Sequence, residues 1–265
     1  MFKTRLLSSI VLMVLMLFFV ISGGNLLLAV IAFLAFVAMM EYLRMEKLHK
    51  TMLAIPAYGS VILLYVLLFL EKTEMLLPLC VFLLLAVMAL YVFAFPKYKA
   101  DQMISVYFSF FYAALLLSYV YQVRMLPGGE FSVWLIFIAA WGSDVFAYCA
   151  GMLFGKHKAF PVLSPKKTWE GCIGGVAGAT VVAILYGIAM NVWFHQSLSL
   201  ANYAIVCGCG AIISQVGDLA ASAMKRNNDI KDYGKLIPGH GGVLDRFDSV
   251  IFVAPIVFYL LQMTM

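Results

Sequence analysis

Between Asp218 and Asp248 lie five of the chain's thirteen acidic residues and five of its eighteen lysines and arginines, inside a sequence that is 65% hydrophobic. Charge at that density needs polar partners. The apolar run from Asn202 to Met224 enters this stretch without a proline, so its start reads as helix, on which Asp218, Ser222 and Lys225 fall at i, i+4 and i+7. One face of a membrane-type helix then carries a carboxylate, a hydroxyl and an ammonium. Further on, Pro238-Gly239-His240-Gly241-Gly242 cannot be regular helix, and glycine-rich backbone lets a phosphate approach main-chain N–H groups. Asp245 and Asp248 then stand one turn apart where the next apolar run begins. Carboxylates so placed suit a hard cation such as Mg²⁺, which binds through one or two of them plus substrate phosphates.

A second polar segment, Gly155 to Gly171, contains Ser164, Lys166, Lys167 and Thr168 ahead of a helix bearing Gly171, Gly174, Gly175 and Gly178. Hydroxyls, cations and a helix N-terminus together make an anion site, and the glycine spacing is not that of a Walker A loop. Thr168 reads equally well as an N-cap, and the glycines as residues for close helix packing in lipid. Two aspartates, Asp144 and Asp218, fall well inside apolar runs. A carboxylate in hydrocarbon costs at least ~2.5 kcal/mol on insertion scales, so each should face a polar cavity. Asp144 shares a helix face with Gly151 and Gly155; its plainer reading is an ion pair with a loop lysine. The five cysteines sit in apolar stretches without zinc or redox spacing, and His240 serves either a phosphate or a turn.

The elements that must position these residues are membrane helices. Only 12% of the 265 residues are charged and mean hydropathy is +1.00, which excludes an ordinary soluble domain. Runs of about 20 apolar residues number about nine, at 6–22, 25–41, 52–70, 75–95, 103–123, 132–154, 171–194, 202–224 and 249–264. The expectation is an all-α polytopic membrane protein without a separate soluble domain. N-terminal helices occupy residues 1–100, and a catalytic region occupies 101–265 with polar loops 155–170 and 225–248. If successive loops alternate sides, sixteen lysines and arginines fall on one side and only Lys72 and Arg124 on the other. That places the N-terminus and both polar loops in the cytoplasm.

The series Ser222-x-x-Lys225-Arg226, Lys231-Asp232 and Pro238-Gly-His240-Gly241-Gly242-x-x-Asp245-Arg246-x-Asp248 resembles the C-terminal motif of the phosphatidate cytidylyltransferases. Ser164-Pro-x-Lys167-Thr168-Trp169-x-Gly171 is similar to a second block of that family, in the right order. The resemblance implies transfer of a cytidylyl group from CTP to phosphatidate, giving CDP-diacylglycerol and pyrophosphate for phospholipid synthesis. It implies Mg²⁺, with a second cation such as K⁺ left open. Asp218, Asp245 and Asp248 are then the metal carboxylates and, with Lys225, the catalytic set. Asp144, Ser164, Lys167, Thr168, Ser222, Arg226, Lys231, His240, Gly241, Gly242 and Arg246 are then substrate-binding. It further implies a bacterial inner-membrane location, a cytoplasm-facing site, lipid contacts, a homodimer and no nucleic acid. A CTP-dependent polyisoprenol or phytol kinase is the nearest alternative, and an ion-coupled transporter a distant one.

Overall fold

The computed structural model describes residues 2–264 apart from Ser197, Pro238 and His240, with side chains from Ile10 onward. Among the described residues there are nine long helices: α1 Phe2–Ser22, then α2 Gly24–Met45, α3 Met52–Phe69, α4 Thr73–Phe93, α5 Ala100–Met125, α6 Gly129–Phe154, α7 Trp169–Phe194, α8 Leu200–Asn227 and α9 Leu244–Thr264. Among the described residues, the eight from α2 to α9 are long and apolar enough to cross a bilayer. With α1 they match the nine runs read from sequence. Large apolar side chains such as Ile62, Leu77, Phe82, Val181 and Val192 point outward rather than into a core, as lipid requires in place of water. Only Gly23, at φ +63°, separates α1 from α2, and a side chain there would strain that turn.

One element departs from the all-helical expectation. Within the 155–170 loop, β1 Lys158–Phe160 pairs antiparallel with β2 Ser164–Thr168, with Lys158 opposite Thr168 and Phe160 opposite Ser164. Three residues in β1 are too few for an alternating pattern to show.

The chain forms two compact units. The first comprises Met1–Tyr121 and Asp232–Arg246, the second Gln122–Lys231 and Phe247–Met265. In the first, Leu27, Met39, Leu43, Leu64, Leu83 and Phe110 are fully or almost fully buried. A π-type widening at Phe110–Leu115 interrupts α5, and Tyr65 donates its hydroxyl to Ala114 O there at 3.3 Å.

In the second unit α6 and α7 approach until backbone meets backbone. A Cβ on Gly175 would lie 2.8 Å from Ser143 O, and one on Gly171 would lie 2.8 Å from Ala147 O. Packing is therefore what these glycines do, as small residues generally do between membrane helices. Gly175→Leu is expected to force the helices apart at a cost of about 1–3 kcal/mol, read as a lower thermal midpoint of the purified protein. An unchanged midpoint would show that this contact contributes nothing.

Candidate active site

The end of β2 sets the site in the second unit. Thr168, buried, takes extended backbone and accepts the Gly171 N–H at 3.1 Å, capping α7. That cap fixes where β2 ends and so aims Lys167, whose Nζ meets Asp218 Oδ2 at 2.6 Å. A glycine face lets β2 lie this close: a Cβ on Gly155 would be 2.8 Å from Thr168 Oγ1, and one on Gly151 3.2 Å from it. Asp218, Ser222 and Lys225 lie along α8 as the helical spacing requires. The loop lysine thus pairs with Asp218 on α8, and this ion pair joins the two sequence blocks 51 residues apart.

Beside this pair opens a cavity of about 400 Å³, lined among others by Asp144, Tyr148, Ser164, Lys166, Lys167 and Thr168. The four residues of the first block and α6 expected at a substrate, namely Asp144, Ser164, Lys167 and Thr168, therefore meet in one place. Gln215 also lines it and donates Nε2 to Cys172 O at 2.9 Å, tying α8 to α7. His157 Nδ1 lies 2.6 Å from Glu170 Oε1 and closes the hairpin mouth.

Asp248, buried on α9, has Asp218, Lys225 and Asp144 as charged neighbours, and its Oδ1 accepts the Ser249 N–H at 2.8 Å. Three carboxylates and two lysines are thus gathered in the second unit. Among the described residues no three His, Cys, Asp or Glu side chains close around a point by themselves. The donor chemistry still fits Mg²⁺, which keeps waters and takes substrate phosphate oxygens alongside one or two carboxylates. Asp218 and Asp248 are the carboxylates that would hold it, with Asp144 beside them.

The glycine loop belongs to the first unit, where carboxylates hold several of its main-chain N–H groups. Asp245 Oδ2 accepts the N–H groups of Tyr233 at 2.8 Å and Gly242 at 2.9 Å. Glu41 on α2, only 3% exposed, accepts Val243 N–H through Oε1 at 3.1 Å and Leu244 N–H through Oε2 at 2.9 Å. Four main-chain donors are therefore already engaged by two carboxylates, since a buried N–H must be satisfied. A Cβ on Gly242 would lie 2.4 Å from both Glu41 oxygens, so glycine here admits Glu41 as a packing partner. Gly241 sits at φ +87° in the same turn. His240 lies outside the described residues. Arg226 Nη1 donates to Ile230 O at 3.2 Å, and Lys231 and Arg246 are exposed.

Glu41 is the loop-holding residue that sequence reading passed over. Its one signal is a carboxylate one turn before the basic end of an apolar run, which positive-inside topology does not explain.

Among the described residues, eight helices long and apolar enough to cross a bilayer and a cavity edged by lysines, hydroxyls and carboxylates define a membrane-embedded enzyme that handles phosphorylated substrates. The chain belongs to the cytidylyltransferase family, which it matches over residues 3–264. It is similar to the phosphatidate cytidylyltransferase of Bacillus subtilis (strain 168), at 30% identity over 273 residues covering 98% of each chain. It is 32% identical to that of Staphylococcus aureus (strain COL), again over 98% of each. With that of Staphylococcus epidermidis (strain ATCC 35984) it shares 31% identity over 99% of this chain and 100% of the relative.

Proposed function

We propose that this chain transfers the cytidylyl group of CTP to phosphatidate, yielding CDP-diacylglycerol and pyrophosphate for phospholipid synthesis. The observation that carries this reading is the Lys167–Asp218 pair, which ties the Ser164–Gly171 block, beside the cavity that Lys167 lines, to the helix leading into the Ser222–Asp248 motif, in a chain aligned end to end with phosphatidate cytidylyltransferases. A phosphate oxygen of phosphatidate attacks the α-phosphorus of CTP, and the bond from that phosphorus to the bridging oxygen of the β-phosphate breaks. The nucleophile is already an oxyanion, so no strong base is required. The barrier is charge repulsion, which fixed cations lower where negative charge builds up. Lys166 and Lys167 supply that charge at the cavity, and Ser164 offers a hydroxyl donor. Lys225, Ser222, Arg226, Lys231 and Arg246 are proposed as further phosphate contacts from the motif.

Mg²⁺, when bound, neutralises phosphate charge. Asp218 and Asp248 are proposed to hold it, and Asp218 orients Lys167 in addition. Asp245 is proposed to act chiefly through the loop that its Oδ2 secures. The inner membrane of a bacterium, with the site on the cytoplasmic side, is the proposed location. The sixteen-to-two partition of basic residues supports it.

The test uses detergent-purified protein with phosphatidate, Mg²⁺ and CTP labelled at the α-phosphorus. Label should enter the lipid phase only when both phosphatidate and Mg²⁺ are present. Release of CDP with an isoprenoid alcohol as acceptor, and no lipid label, would overturn the assignment in favour of a kinase.

A further inference from the structure

Away from the regions described above, the first unit holds a basic mouth on an apolar groove. A cavity of about 540 Å³ is lined by Phe36, Met40, Arg44, His49, Lys50 and Tyr58. A second, of about 480 Å³, runs between α2 and α3 past Leu28, Ala32, Ile62, Tyr65 and Phe69, and shares Phe36 with the first. Phe36 and Tyr58 meet at 5.2 Å between ring centroids, tilted by 37°. Tyr58 donates its hydroxyl to His49 O at 3.1 Å, pinning the α2–α3 connection over the mouth.

Topology alone accounts for cations in this connection, but not for their setting. Among the described residues the ion pairs are Lys72–Glu74, Arg124–Glu130, His157–Glu170 and Lys167–Asp218, and neither Arg44 nor Lys50 takes part in one. Glu41 lies within electrostatic reach of Arg44 but gives both oxygens to backbone N–H groups. His49 Nδ1 is buried without a hydrogen-bond partner. Two unpaired cations and an unused ring nitrogen therefore border a cavity whose floor is aromatic and aliphatic. From Arg44 to Leu28 the groove follows α2 for about 24 Å at ~1.5 Å per residue, more than the ~15 Å of one leaflet's hydrocarbon.

Positive mouth and apolar trough together match one lipid. We propose that this is a docking site for phosphatidate, with its phosphomonoester between Arg44 and Lys50 and within reach of His49, and one acyl chain along α2 and α3. A phosphate monoester carries about −1.5 to −2 charge near neutrality, which matches two cations, whereas a singly charged diester leaves one of them uncompensated. A zwitterionic headgroup would add a third cation to the mouth. The proposal rests on phosphatidate being the substrate.

Native mass spectrometry of the full-length protein, titrated with phosphatidate, phosphatidylglycerol or phosphatidylcholine of identical chains, tests it without CTP. Wild type should retain phosphatidate at least tenfold better than either other lipid. Arg44→Gln with Lys50→Gln should lose that preference, and Ala32→Trp, which fills the groove and leaves the mouth, should weaken phosphatidate retention as well. In turnover, the double variant should raise KM for phosphatidate about tenfold with kcat and KM for CTP unchanged. Equal retention of the three lipids by wild type, or wild-type preference in the double variant, would overturn the docking site. Such a result with normal CDP-diacylglycerol synthesis leaves the proposed activity standing. Phosphatidate preference without nucleotidyl transfer would remove the activity and keep the site.

Discussion

Asp218→Asn is expected to lower incorporation of CTP label into lipid by a factor on the order of 10²–10³, the scale on which loss of one transition-state charge contact is measured. The substitution keeps shape and helix while removing the charge that Lys167 faces at 2.6 Å. It therefore mispositions the lysine and takes away one proposed metal carboxylate. A double-mutant cycle with Lys167→Met separates chemistry from architecture. If the pair only braces β2 against α8, removing both charges should restore turnover, because no unpaired charge remains. If Asp218 and Lys167 act on the substrate or its cation, the double variant should be at least as inactive as Asp218→Asn alone. Turnover of Asp218→Asn within a few-fold of wild type would remove Asp218 from the site altogether.

Glu41→Ala should be the most damaging change in the first unit. It orphans the buried N–H groups of Val243 and Leu244, at about 1–3 kcal/mol each and roughly 2–6 kcal/mol together. It also opens space against Gly242 and Gly234, both of which pack on that carboxylate. Glu41→Gln should be milder but not silent, since the carboxamide offers one oxygen where two are used and turns an N–H₂ toward a donor. Thermal unfolding of the purified variants gives the first readout, and lipid labelling the second. A wild-type midpoint for Glu41→Ala would mean that the loop is held by Asp245 alone.

These two residues also show where sequence suffices. Asp218 stood out because a charge in an apolar run has a solvation cost that only a function or a partner offsets, and because Ser222 and Lys225 repeat at helical spacing. Its partner could not be named, for Lys167 and Asp218 are brought together by packing of α6, α7 and α8 that no local pattern encodes. Glu41 ends an apolar run, where a charge marks the membrane edge by default, and its contacts lie some 200 residues downstream. The hairpin at 158–168 was hidden by its length, and the glycines of α7 allowed two readings until the Ser143 and Ala147 carbonyls were seen beside them. Helix number followed directly from hydrophobic length.

The long reach from Glu41 to Leu244 has a consequence for biosynthesis. The first five helices leave the ribosome well before Asp232–Arg246, the segment that completes their unit. At roughly 5–20 residues per second, Glu41 waits about 10–40 s with its acceptor oxygens unmatched. A nascent chain stalled before residue 243 would therefore carry Glu41 without the N–H groups of Val243 and Leu244, a mark of its incompleteness.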